Sequence, residues 1–106
     1  MADDTAAEGE HLEALLRKFL RDGRLTGLPA KLTSRKEILR YLAMRDFRPR
    51  TWYAEPEINE ILKTWYEDTA ATDYVSIRRY LIDYRILDRE DAGQYWLIGA
   101  WTVPAP

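Results

Sequence analysis

The chain contains no cysteine and only one histidine, His11, in 106 residues. A disulfide framework and a cysteine-based zinc knuckle are therefore excluded, and the fold must stand on packing alone. A single imidazole, with no cysteine, second histidine or spaced carboxylate pair beside it, builds neither a metal site nor a nucleophile and base couple. Glycine is scarce as well, with five residues in all, and Gly23 and Gly27 are too sparse a pair to cradle a phosphate. No G-x-S-x-G turn occurs. Long apolar runs of roughly 18 residues, which a membrane span needs, are also missing. The start, MADDTAAEGE, lacks the basic opening and apolar stretch of a secretory signal. These absences lead to the expectation of a non-enzymatic, cytoplasmic protein with no cofactor, no metal and no membrane partner.

What is present is apolar and aromatic. A hydrophobic share of 46% and an aromatic share of 12%, with four Trp and seven Tyr, exceed what a disordered chain carries. The length suits one core and not two. The expected organisation is a disordered acidic start over residues 1–10, one domain over 11–100 and a tail over 101–106. Net charge is -2, but residues 11–54 hold eleven bases against four acids, while residues 55–106 hold five bases against ten acids. The basic surface thus precedes the second half of the chain.

Periodicity divides the chain into elements. Leu12, Leu15, Leu16, Phe19 and Leu20 share one face of a helix over 11–21. Gly23 suits a left-handed stop and Pro29 opposes an early restart, so residues 22–31 read as an extended arm. Ser34 and Glu37 have the spacing of a capping box opening a helix that runs to Met44 or Asp46, with Ile38, Tyr41 and Leu42 inward. Thr51, Trp52 and Tyr53 are β-prone and read as a short edge strand. Glu55, Pro56 and Glu57 open a third helix over 55–67, whose core face is Ile58, Ile61, Leu62, Trp65 and Tyr66. Thr72 or Asp73 caps a fourth over 72–84, with Ile77, Tyr80, Leu81 and Tyr84 inward and Val75, Ser76, Arg79, Ile82 and Asp83 outward. Two strand-like runs, 86–90 and 94–98, flank the turn Asp91-Ala92-Gly93. The order of elements predicts a mainly α fold with a small β-hairpin: a winged helix-turn-helix with an additional N-terminal helix and extended arm. Of the aromatics Trp52, Tyr53, Trp65, Tyr66, Tyr95, Trp96 and Trp101, all but Trp101 have core spacing.

Four stretches carry a resemblance: FLRDGRLTGLPAK at 19–31, AEPEINEIL at 54–62, DYVSIRRYLIDY at 73–84, and ILDR followed by GQYW at 93–96. In this order they resemble the bacterial domain of unknown function numbered twenty eighty-seven, over roughly residues 19–97. The resemblance implies a winged-helix module associated with transcription, found alone or fused behind helix-turn-helix regulators, and implies no activity. Two residues depart from it. Ala54 stands where a Thr cap is common, and Arg85 where a Gly usually ends the fourth helix.

Two readings of the surface follow. In the first, the fourth helix enters the major groove of double-stranded DNA, Ser76, Arg78 and Arg79 address base edges or phosphates, and bases among Lys31, Arg35, Lys36, Arg40, Arg45, Arg48 and Arg50 follow the backbone. Beside this stands the simpler view that one of the two arginines, Arg78 at the flank sooner than Arg79, pairs inside the fold with Glu60, Glu67 or Asp68, and that the basic run is a solvated helix face. In the second reading, the outer face with Val75 and Ile82, together with Trp101, docks a protein, either a second copy of the chain or a regulator. That apolar pair is expected to be covered by the first helix, by a dimer partner or by a thymine methyl. The acids of Asp88-Arg89-Glu90-Asp91 favour the second reading, because they repel phosphate.

Overall fold

A computed structural model describes residues 2–90 and 93–98. Asp91, Ala92, Trp101 and the rest of the tail lie outside the described residues, and with them the expected hairpin tip and the expected role of Trp101. In chain order the elements are α1 (Ala2–Phe19), β1 (Leu20–Arg21), β2 (Arg24–Leu25), α2 (Leu32–Asp46), β3 (Tyr53–Ala54), α3 (Glu55–Lys63), α4 (Tyr74–Asp83), β4 (Leu87–Arg89) and β5 (Gln94–Leu97). The fold is thus mainly α, with two small antiparallel sheets.

Helix α1 begins at Ala2 and takes in most of the acidic start that sequence reasoning set apart. Alanine-rich sequence with acids near an N-terminus suits a helix, because negative charge is favourable beside the unpaired N–H groups there. The helix packs on α2 with Leu15 buried and Leu16 and Phe19 half-buried against the core, and His11 Nε2 meets Glu37 Oε1 at 3.1 Å.

The expected extended arm is instead a tight hairpin. Asp22 and Gly23 take φ of 54° and 79°, the two left-handed residues of a turn whose twist matches that of antiparallel strands, and Leu20 pairs with Leu25. The Asp22-Gly23 dipeptide is the local signal for this turn. The hairpin holds the segment between α3 and α4: Leu25 N–H donates to the Trp65 carbonyl, and Glu67 N–H to the Leu25 carbonyl at 2.9 Å. Arg21 grips the Glu67 carboxylate with two hydrogen bonds, of 3.1 and 2.7 Å.

Helix α2 also starts earlier than its expected capping box. Lys31 is the N-cap and supplies no side-chain hydrogen bond, so Ser34 lies inside the first turn, buried at 5% exposure, and Glu37 turns to His11. An S-x-x-E spacing has its capping meaning only where the Ser backbone is non-helical. Glu55 and Pro56 do open α3, and Glu57 Oε1 accepts from the Ala54 N–H at 2.8 Å. Ala54 has no oxygen with which to return the bond, so only half of that cap exists. Asp73 caps α4, its Oδ1 accepting from Ser76 N–H at 2.8 Å.

At the end of α4, Arg85 adopts φ 61°, and Ile86 N–H reaches back to the Leu81 carbonyl at 2.9 Å. A side chain in the left-handed region carries a cost that glycine escapes. Arg85→Gly is therefore expected to raise stability by about 1 kcal/mol, seen in a thermal melt as a rise of roughly 4 to 8 °C. A lowered melting temperature would show that the Arg85 side chain makes compensating contacts.

The three-stranded sheet has the order β3-β5-β4, so the last strand lies between the first and its own hairpin partner. Tyr95 and Leu97 point into the core with Ile38, Leu42, Ile58, Leu62, Ile77 and Leu81. The residues between them point outward, and here the expectation of core packing fails for one pair. Trp52 is 51% exposed and lies against the half-buried Trp96, ring centroids 4.8 Å apart, because alternation along a strand puts both opposite Tyr53 and Tyr95.

Candidate functional site

Helix α4 presents the most distinctive surface. Its buried residues are Ile77 and Leu81, so the line opposite, Val75, Arg79 and Asp83, stands outermost. Two grooves flank this ridge. One, of about 310 Å³, lies between α4 and the β4–β5 hairpin and is lined by Val75, Arg78, Arg79, Ile82, Asp83, Arg89 and Tyr95. The other, of about 400 Å³, separates the start of α4 from the 26–30 and 69–72 segments and collects hydroxyls of Thr26, Thr69, Thr72 and Ser76 beside Arg35 and Tyr80. Ser76 belongs to both the helix cap and this groove, and its N–H holds the Asp73 carboxyl below the usual carboxylate range.

The candidate residues separate by what holds them. Arg78 donates to Asn59 Oδ1 on α3, so it is tied into the fold. Its partner is none of the three acids expected: Glu67 is taken by Arg21 and Glu60 by Lys63. Arg79 is exposed, and among the described residues no hydrogen bond or ion pair holds it. Arg35 is a clamp and not a free phosphate contact: its guanidinium donates to the carbonyls of Pro29 and Ala30 and to the Tyr84 hydroxyl, at 3.0, 2.9 and 3.2 Å, and lies 5.1 Å from the Tyr80 ring centre. Lys36 Nζ stands 5.8 Å from the Tyr84 ring centre. Tyr80 and Tyr84, stacked 5.6 Å apart, are thus the shelf on which the basic start of α2 meets α4.

The basic run is not one patch. Arg48 and Arg50 are exposed beyond the far end of α2, about 15 Å along the helix from Lys36 at 1.5 Å per residue. Arg45 is engaged with Asp46 and with the Gly23 carbonyl at 2.9 Å. Sequence order grouped these cations, and the length of a straight helix separates them.

The expected apolar strip is also divided. Val75 is 44% exposed, whereas Ile82 is half-buried and packed against the core on the hairpin side of the ridge. The first helix packs mainly on α2; Ile82 is covered by the chain's own core, while Val75 stays exposed. Ile82→Asp is accordingly expected to cost about 2 to 4 kcal/mol with no change of mass in solution, read by thermal melting and sedimentation. A loss of mass at unchanged stability would point to a partner subunit as the cover.

Among the described residues no group of three or more His, Cys, Asp or Glu side chains is arranged to hold a metal ion, and no helix is long and apolar enough to cross a membrane. Comparison with known families places residues 24–97 in the one described as an uncharacterized protein conserved in bacteria, DUF2087. The chain belongs to this family. The match runs from the first residue of β2 to the last residue of β5, so the family unit contains both flanks of α4, while α1 and β1 precede it. No curated protein and no solved structure matches the chain.

Proposed function

We propose that the family unit in this chain is a winged helix-turn-helix that binds double-stranded DNA, with α4 in the major groove and the β4–β5 hairpin as the wing. The connection order carries the reading: α2, β3, α3, α4 and a terminal hairpin, with β5 between β3 and β4, leave the Val75-Arg79-Asp83 ridge outermost. Such a module acts by binding and needs no reactive group. Arg79, with no partner among the described residues, supplies a planar donor fork for a base edge or a phosphate. On one side the groove supplies the Thr69 and Thr72 hydroxyls, neutral donors of the kind that contact phosphate oxygens, and Lys36 adds charge beyond it. A transcription-associated role of this kind belongs to the bacterial cytoplasm.

One observation favours a second reading, in which the same face docks a protein. The α4–hairpin groove has Val75 and Ile82 in its lining, and the hairpin carries Asp88 and Glu90, which repel phosphate. A regulator protein or a second copy of the chain would then be the partner.

Duplex binding at two salt concentrations separates the readings. The DNA reading expects affinity that falls steeply with salt. Lys36→Ala should weaken binding to all sequences and reduce the salt slope by about 1. Absence of binding by the wild-type chain even at low salt overturns the DNA reading in favour of the protein-docking one.

A further inference from the structure

We infer that α4 selects duplexes carrying a thymine and a guanine on adjacent or next-adjacent base pairs, with Val75 contacting the thymine methyl and Arg79 the guanine edge; the inference rests on the DNA-binding reading. Three observations meet here. Val75 is the second residue of α4, at the helix start, which in this class of module approaches base edges. It is 44% exposed although β-branched and apolar, and its neighbour in the strip, Ile82, is withdrawn into the fold. Arg79 lies one turn further along the same ridge, exposed and unpaired among the described residues, and residues four apart on a helix have Cβ atoms about 5 to 6 Å apart.

The chemistry of the groove supplies the match. Thymine alone of the four bases carries a methyl group on its major-groove edge, and guanine offers the two acceptors that a guanidinium fork meets. Neighbouring base pairs are separated by about 3.4 Å, so side chains about 5 to 6 Å apart at their roots, one short and one long, reach adjacent or next-adjacent base pairs. The two lateral groups are already committed: Arg78 to Asn59, and Ser76 to the Asp73 carboxyl of the cap, through its side chain as well as its N–H. Discrimination therefore falls to the two ridge residues. Asp83, one turn beyond Arg79, leaves the end of the ridge acidic and disfavours phosphate there, which keeps the helix start as the contacting end.

The experiment selects binders from a randomised duplex pool with the whole chain. Fluorescence anisotropy then measures the enriched duplex beside a copy in which deoxyuridine replaces the thymine, and another in which adenine replaces the guanine. The expected result is an enriched thymine and guanine within two base pairs and a loss of about fourfold on removing the methyl. That methyl effect should be absent in Val75→Asn, and the tenfold to hundredfold guanine preference should be lost in Arg79→Gln. Both side chains are exposed, so circular dichroism of the variants should match the wild type. Binding without a methyl effect or a guanine preference overturns this inference and leaves the DNA reading intact. No binding by wild type at low salt removes both.

Discussion

Trp65→Ala is expected to lower the free energy of unfolding by about 3 to 5 kcal/mol, a large part of what a domain of this size possesses. Trp65 is fully buried just after α3, its ring 5.9 Å from that of Phe47, and its carbonyl receives the Leu25 N–H from the hairpin β1–β2. It joins the core to the segment leading into α4, so its removal leaves a cavity and loosens the connection that positions the ridge. Urea unfolding gives the number. A cost below about 1 kcal/mol would mean that the core closes over the site and that the hairpin, not the indole, holds the connection. Trp65→Phe, which keeps most of the bulk but removes the indole N–H, should cost less.

Asp46→Ala is expected to cost about 1 to 3 kcal/mol at neutral pH, because the buried Trp65 indole N–H then loses its acceptor. Asp46 Oδ2 accepts that bond at 2.7 Å and also meets Arg45 Nη2 at 2.8 Å. The Arg45 guanidinium first, and the indole N–H after it, hold the Asp46 carboxyl below its ordinary range against the opposing effect of desolvation. A carboxyl depressed in the folded state contributes stability that is present above its unfolded pKa, about 3.9, and is lost as pH falls through the lower folded value. Wild-type stability should therefore fall with acid below about pH 4 more steeply than that of Asp46→Ala, and the two should converge at the acid end. Parallel curves over pH 2 to 7 would show that the carboxylate is not what the indole and guanidinium require. In the Trp65→Phe background the Asp46 substitution should cost less than in wild type, since the two changes remove one shared bond.

The sites of failure in the sequence reading have a common cause. The S-x-x-E spacing at Ser34 satisfies a capping rule only if the helix starts there, and that start depends on how the 26–31 segment leaves the hairpin and meets Arg35, whose guanidinium binds the Pro29 and Ala30 carbonyls. The grouping of cations between Lys31 and Arg50 was a statement about order along a chain, whereas charge acts through space, and the 15 residues of α2 separate its ends. Arg78 and Arg79 are adjacent in sequence but turned by about 100° from each other on a helix with 3.6 residues per turn, and this rotation sends one to Asn59 and leaves the other outermost. The Asp-Gly turn at 22–23 differs from these, since its signal is local, in two residues suited to positive φ.

Apolar periodicity by itself determined that four helices form, that Leu15, Ile38, Leu42, Ile58, Leu62, Ile77 and Leu81 turn inward and that a hairpin follows, because burial of one face is a local demand that each segment states in its own spacing; it ran α3 on to residue 67, whereas the helix ends at Lys63 and Trp65 is buried beyond it. Composition by itself excluded disulfides and cysteine-bound metal. Which cations are available to a ligand, which member of the Val75 and Ile82 pair is exposed, and the placing of β5 between β3 and β4 were decided only in the tertiary structure. Each of these depends on groups far apart in sequence competing for the same partners, and no window along the chain contains both competitors.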